Sequence, residues 1–436
     1  MFRIMLFYIP MGTSSLLAAL THVIINGVLA RSAQPDVTIS SYAVAVSLAF
    51  LIDLPVNVIR QTSSKYSRDQ ISFRSVAHLA SIVSGVLVFL SVMIGWTPIG
   101  QMLFHYIFGV KDHLLLQTTQ VFQVLAFLYI FSALRSLFQG VIINQLRTGW
   151  MTIGMAIRVI VMFIMSWYFI QIGWTNDGRV GALIFMTGIA IECIVAVCEG
   201  MSLKRRLPET KEQQMIEQTR QLLPFYLPLL YSSMVLVLLN PSIQATLNKT
   251  ENPTLAVASY AVALQLSNMV IWFCSSVHQI VLQFYESQPK QVLRIVAFLS
   301  VLSPVILLSI STDVFGGWLL EGVLGLHGPL LQNVQLLLLF LAVHSFLFPW
   351  IDFVAGKCML RGQTRAIMAS KMISVALSIS LLIIFLYWSP SLNGGLAGLV
   401  AAIVAPLELT VICLWLRRLE KRQVLMMGDV KQMVPK

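Results

Sequence analysis

Charge is what this chain has least of. Only 11% of its 436 residues are Asp, Glu, Lys or Arg, against 57% hydrophobic, and the mean hydropathy is +0.82. A soluble protein carries roughly a quarter of its residues as charges, so a water-covered exterior is excluded. No polar stretch is long enough to hold a separate soluble domain. Cysteine is scarce too. Cys193, Cys198, Cys274, Cys358 and Cys413 lie in or beside apolar runs with no C-x-x-C pairing, which argues against a disulfide framework or a metal site. A P-loop, an H-E-x-x-H, a glycine-rich nucleotide fingerprint and a G-x-S-x-G are all missing. No enzyme and no cofactor is expected, and any uphill work has to draw on an existing gradient.

What the chain has in abundance is apolar runs long enough to cross a hydrocarbon core of about 30 Å. Twelve spans are predicted, at 6–30, 39–61, 76–99, 116–143, 150–172, 180–202, 222–247, 255–284, 292–312, 329–357, 366–388 and 394–416. The first run, from Leu6, is too long and lacks the small-residue cleavage site of a removable leader. The net charge of +11 comes from short loops rather than from a basic face interleaved with aromatics, so nucleic acid is not the expected partner. One side carries Arg3, Lys65, Arg68, Arg74, Arg147, Lys204, Arg205, Arg206, Lys211, Arg220, Lys290, Arg294, Lys357, Arg361, Arg365 and the basic tail. The other side carries only Arg31, Lys111, Arg179 and Lys249. An even number of spans with both termini in the cytoplasm satisfies the positive-inside rule at nearly every loop, as expected of a multi-pass protein of the cell membrane.

Near the midpoint lies the one polar linker, 203–221, and the chain repeats itself about it. At an offset of 218, Tyr8-Ile9-Pro10 meets Tyr226-Leu227-Pro228, and Ser14-Ser15 meets Ser232-Ser233. Pro35 meets Pro253, Ser41-Tyr42-Ala43-Val44-Ala45 meets Ser259-Tyr260-Ala261-Val262-Ala263, and Gln61 meets Gln279. About fifteen identities fall between 8–61 and 226–279, where chance in apolar sequence gives about four or five, so duplication is the better account. Farther along the offset is 216: Arg147-Thr148 sits against Gln363-Thr364, and Glu192 against Glu408. The expected organisation is an all-α membrane protein with a six-helix lobe at 1–202, a cytoplasmic linker at 203–221, a second six-helix lobe at 222–418 and a cytoplasmic tail at 419–436. Each lobe has an even number of spans, so the repeats run parallel, and a substrate path between them is expected.

Polar side chains within the spans are costly in lipid and are expected to face a cavity or a partner helix. Asp53, Asn57, Arg60 and Ser64 share one face of the second span, which suits a water-filled cavity, an internal Asp53–Arg60 ion pair, or an Arg60 that snorkels to the cytoplasmic edge. His22 and Asn26 share a face of the first span, and the repeat places Asn240 and Gln244 at the same two positions. Helix–helix hydrogen bonding is the alternative use of these four. The repeat also sets His278 at the place of Arg60 and Ile271 at that of Asp53. Ser132, Arg135 and Gln139 line a face of the fourth span, while His344 and Asp352, eight residues apart, are expected on one face of the tenth. Arg158 and Lys371 are further intramembrane cations, able to pair with Glu192 or Glu408 or to bind phosphate or carboxylate. Asp53, Glu192 and Glu408 are the candidates for proton or ion coupling, with anchoring of a nearby Arg the competing role for the two glutamates.

Two segments carry a family likeness. Phe7-Tyr8-Ile9-Pro10-Met11-Gly12, and Ser40-Ser41-Tyr42-Ala43-Val44-Ala45-Val46-Ser47-Leu48 followed by Pro55, resemble the opening of the first two helices in the progressive ankylosis branch of the multidrug/oligosaccharidyl-lipid/polysaccharide (MOP) exporter superfamily. The patch 134–148, LRSLFQGVIINQLRT, resembles that superfamily's fourth helix. The resemblance implies a V-shaped alternating-access transporter of two six-helix lobes. For the branch it implies export of polyanions such as pyrophosphate, a nucleotide or a carboxylate. Elsewhere in the superfamily it implies flipping of lipid-linked cell-wall or polysaccharide precursors of the lipid II type, or multidrug export.

The expected protein is therefore a monomeric secondary exporter of an anionic small molecule, with a lipid-linked anionic substrate as the alternative. Its partners are membrane lipids and a coupling ion, H+ or Na+. The expected substrate site is lined by His22, Asn26, Asp53, Asn57, Arg60, Arg135, Gln139, Asn240, Gln244 and Asp352.

Overall fold

The computed structural model describes residues 1–209 and 216–432, and among them every regular element is helical. Of the expected linker, 210–215 lie outside the described residues, as do 433–436 of the expected tail. Among the described residues, twelve helices are long and apolar enough to cross a membrane. The first six are α1 (Phe2–Leu29), α2 (Pro35–Tyr66), α3 (Gln70–Trp96), α4 (Asp112–Leu125 and Leu128–Asn144), α5 (Gly149–Gln171) and α6 (Gly178–Lys204). Then come α7 (Leu223–Val237 and Leu239–Leu247), α8 (Pro253–Cys274 and Val277–Phe284), α9 (Pro289–Ser311), α10 (Gly328–Leu360), α11 (Thr364–Trp388) and α12 (Gly395–Gln432).

Local chemistry sets the helix starts. Pro35 and Pro253 open α2 and α8, where a missing N–H is harmless. Asp69 caps α3 by accepting from the Ser72 amide at 2.8 Å, and Asn252 caps α8 by accepting from the Leu255 amide at 3.2 Å. The breaks inside α4, α7 and α8 escape hydropathy, which responds to length and apolarity and not to local backbone geometry.

Two compact units form, Met5–Tyr226 and Leu227–Lys436 together with Met1–Ile4. The boundary falls inside α7 rather than in the linker, because the first turn of α7 belongs to the first unit. There the Tyr226 hydroxyl donates to the Pro55 carbonyl at 3.0 Å, and Phe225 packs edge-on to Tyr66 at 5.2 Å.

In the first unit α4 is the hub, packed on α2, α3 and α6, around a core that includes Leu29, Tyr42, Phe122 and Val180. In the second α10 takes that place against α8, α9 and α12, around Leu247, Leu337, Leu338 and Leu396. Local geometry recurs at an offset of 216. Gly109 and Gly325 both hold positive φ (65° and 66°), as do Leu146 and Gly362 (58° and 71°). A π-helical turn follows the third span of each unit, at Leu103–Ile107 and Gly317–Val323, and neither was foreseen by the sequence.

Two helix crossings depend on glycine. A Cβ on Gly140 would lie 2.2 Å from Ser63 Cβ, and one on Gly356 would lie 2.8 Å from Val281 Cβ. Ser63 and Val281 are themselves repeat partners, at the offset of 218. Only a glycine lets α4 close on α2, and α10 on α8, this tightly.

Candidate functional site

The first unit buries a charged cluster where α2, α4, α5 and α6 meet. Glu192 of α6 is its centre, with its side chain 4% exposed. Arg135 and Arg158 each donate from Nη1 to the same oxygen, Oε2, at 2.8 Å, and Gln139 donates from Nε2 to Oε1 at 2.9 Å. Arg158 also lies over the Phe185 ring, 5.2 Å from its centroid. Two guanidiniums and an amide compensate this carboxylate where it is buried. Burying it without them would leave an uncompensated charge.

Asp53 of α2 is placed differently. Its Oδ2 accepts from the Ser132 hydroxyl at 3.0 Å, and its Oδ1 is buried without a hydrogen-bond partner. The internal Asp53–Arg60 ion pair that the sequence allows does not form among the described residues. Seven residues put about 10 Å of rise between the two, and α4 offers Asp53 a nearer donor. Arg60 itself is partly exposed and has no side-chain hydrogen bond or ion pair among the described residues, while lying within Coulombic reach of Arg135, Glu192 and Asp53. Asn57, one turn before it, is exposed.

The remaining candidates of this unit lie apart from that cluster's hydrogen bonds. His22 packs against Phe185 at 5.8 Å and edge-on to Phe50 at 5.6 Å, a contact of rings rather than of charges. Asn26 is exposed.

The second unit holds two smaller clusters. Glu408 of α12 pairs with the Lys371 ammonium of α11 and accepts from the Ser374 hydroxyl at 2.8 Å. Ser374 stands where Arg158 stands in the first unit, and Lys371 reaches the acid from one turn earlier, so the repeat keeps the buried acid and changes the cation. Asp352 of α10 accepts at 2.8 Å from the backbone N–H of His278 and lies 3.1 Å from its Nδ1. That amide is available because α8 breaks at Ser275–Ser276 and restarts at Val277, leaving first-turn N–H groups without helical acceptors.

His344 does not join Asp352. Eight residues turn a helix through two turns and about 80° more, and Pro349 stands between them. His344 instead lies within Coulombic reach of Glu408 and Lys371, with a buried Nδ1 that has no hydrogen-bond partner. Asn240 and Gln244 are exposed on α7.

Sequence reasoning named Arg135, Gln139, Arg158 and Glu192 without foreseeing that they form one cluster. The signal for His278 was present, since the repeat sets it at the position of Arg60. Its link to Asp352 was not, because the helix break that frees its amide has no hydropathic mark. All five cysteines are free thiols, and no group of His, Cys, Asp and Glu suited to a metal ion occurs among the described residues.

No protein-family model and no curated protein sequence matches the chain. Solved structures do. A MOP superfamily transporter from Pyrococcus furiosus, described as having a reversed polarity of its binding pocket, is 13% identical over 96% of both chains, with a TM-score of 0.73. An outward-facing multidrug-resistance transporter of the MATE family in the same superfamily is 13% identical over 96% of both chains, with a TM-score of 0.74. A MATE structure in the straight conformation is 13% identical over 96% of both chains, with a TM-score of 0.76. At this identity the likeness establishes the fold: an all-helical membrane architecture of the MOP transporter type, in two lobes. It is a likeness of fold alone and does not distinguish the ankylosis branch from the others.

Proposed function

We propose that this protein is a secondary transporter that works by alternating access and exports an anionic substrate. The fold supports the transport class, since the similar structures are described as transporters and the sequence carries no enzyme motif. The observation that carries the anionic reading is Arg60. Within the predicted spans of the first unit, the arginines Arg60, Arg135 and Arg158 share the unit with two buried acids, Asp53 and Glu192. Arg135 and Arg158 are both committed to Glu192, and Arg60 is left with no side-chain partner among the described residues. A partly exposed guanidinium without a partner is a ready donor to a phosphate or carboxylate oxygen pair. The Pyrococcus neighbour supports the principle that pocket polarity changes sign within this fold.

Asp53 is the candidate for proton coupling. Of the three acids proposed for that role, Glu192 and Glu408 are each paired with a cation, whereas protonating Asp53 breaks no direct ion pair.

Purified protein in liposomes loaded with pyrophosphate, a nucleotide or a tricarboxylate tests this reading. Parallel vesicles carry a labelled lipid-linked precursor or a cationic dye. Efflux of at least one polyanion, lost in Arg60→Gln, is the expected result. Movement of the precursor or the dye with every polyanion retained would replace it by a flippase or a multidrug exporter.

A further inference from the structure

A groove of about 570 Å³ runs along the first unit between α3, α4 and α6, and none of the charged cluster's residues is among its walls. Phe73, Ala77, Gly85, Leu134, Phe138 and Met201 are among its walls. The two hydroxyls that line it are already satisfied by protein. Ser81 donates to the Ala77 carbonyl at 3.0 Å and Ser84 to the Tyr129 carbonyl at 3.3 Å. What remains to a ligand is apolar surface.

The α3 wall extends from Phe73 to Val88, about 22 Å at 1.5 Å per residue, which is more than half of a hydrocarbon core of about 30 Å. Beside the groove, Ile82, Val86 and Phe89 of α3 are 48%, 51% and 63% exposed, so this side of the helix turns its apolar residues outward. A Cβ on Gly85 would meet no atom within 4 Å, so the space above it is open. At the base of the groove α6 is pressed on α4, where a Cβ on Gly200 would lie 2.6 Å from the Phe138 ring. The protein's own side chains leave this volume unfilled.

One end of the groove is cationic. Lys204 holds its ammonium 4.8 Å from the centroid of Phe73, the last groove residue at that end, and has no carboxylate partner among the described residues. Arg74, next to Phe73 in the chain, and Arg205, next to Lys204, are exposed. This end is fastened: the Gln70 amide donates to the Pro208 carbonyl at 3.0 Å, and the Gln70 side chain donates to the Leu207 carbonyl at 3.1 Å.

We infer that the groove holds an acyl chain of an anionic phospholipid, with the headgroup phosphate at Lys204. An acyl chain matches a slot that is long, apolar and free of unmet hydrogen bonds. A phosphate matches an ammonium fixed at the interfacial end of that slot, where basic residues attract anionic lipid. The site is a lipid-binding surface of the first unit and stands apart from the transport reading above.

The test is retention of lipid by the full-length protein in detergent. Phosphatidylglycerol or phosphatidylcholine is added, and bound lipid is counted by native mass spectrometry for wild type, Gly85→Leu, Ala77→Leu and Lys204→Gln. Wild type is expected to retain phosphatidylglycerol about fivefold over phosphatidylcholine, the preference that one interfacial lysine supplies. Gly85→Leu fills the open part of the groove and should reduce retention of both lipids. Ala77→Leu repeats the filling nearer Phe73, and it decides the matter if Gly85→Leu lowers the melting temperature. Lys204→Gln should remove the preference and keep the lower, phosphatidylcholine-like retention. Unchanged retention in a folded groove-filling variant would overturn the acyl-chain site. Equal retention of the two lipids by wild type would overturn the headgroup assignment.

Discussion

Arg60 and His278 stand at matching positions of α2 and α8, 218 residues apart, yet only His278 meets a carboxylate. The acid it meets, Asp352 of α10, has Ser136 of α4 as its counterpart at the offset of 216. That register is anchored four residues away by Gly140 and Gly356, the two close helix crossings. The acid in the hub helix, the imidazole in place of the guanidinium and the break in α8 together separate a closed pair in the second unit from an unpaired arginine in the first. The two units keep a common scaffold and differ in how their intramembrane charge is compensated.

If Arg60 receives the substrate, its replacement should act on transport and not on folding. Arg60→Gln is expected to abolish polyanion efflux from liposomes while leaving the detergent melting temperature within about 2 °C of wild type, since no hydrogen bond is lost. Arg60→Lys keeps the charge without the planar pair of donors and should recover part of the rate.

Glu192 should behave in the opposite way. Glu192→Ala leaves Arg135 and Arg158 buried without their acid, a loss of about 3–5 kcal/mol. Thermal unfolding should shift down strongly, or the protein should fail to accumulate. The double variant Arg158→Met with Glu192→Met is expected to recover part of that loss, because it removes buried charges of both signs together. Equal melting of Glu192→Ala and wild type would contradict the cluster as described.

Asp53→Asn preserves the acceptor for Ser132 and removes the ionisable group. With Asp53 as the coupling group, this variant should still exchange substrate across liposomes with equal pH on both sides. It should lose the acceleration that an imposed pH gradient gives the wild type. Retained acceleration in Asp53→Asn would assign coupling elsewhere.

The paired glycines make a prediction about packing. Gly140→Ala puts a Cβ 2.2 Å from that of Ser63, and Gly356→Ala puts one 2.9 Å from the Cα of His278. Each should cost about 1–3 kcal/mol through displaced helices. Gly85→Ala, where nothing lies within 4 Å, should be neutral or slightly stabilising. Melting curves of the three variants in one detergent compare them directly.

Much of the architecture was legible before any coordinates. Twelve spans follow from apolar length, because in hydrocarbon a backbone has to satisfy its own hydrogen bonds and a helix of sufficient length does so. The repeat in Ser41-Tyr42-Ala43-Val44-Ala45 and Ser259-Tyr260-Ala261-Val262-Ala263 pointed to two related bundles. Polar residues such as Asp53, Arg60 and Glu192 stood out by their cost in an apolar setting.

Their partners were legible only in part: pairing of Arg158 and Lys371 with Glu192 or Glu408 was open to the sequence, but the full set of partners was not. Periodicity along α2 places Asp53 and Arg60 on one face, but whether they meet each other or a neighbouring helix depends on what α4 presents at that level. Hydropathy marks Glu192 and Asp352 equally, and only helix packing gives one two guanidiniums and the other an imidazole and a helix amide. The amino-acid order settled the membrane class and the number of spans, since each depends on chain-local hydrophobicity. Tertiary structure decided which charges cancel, which arginine is left over and where an apolar groove stays open, because these are set by side chains far apart in the chain meeting at distances of a few ångströms.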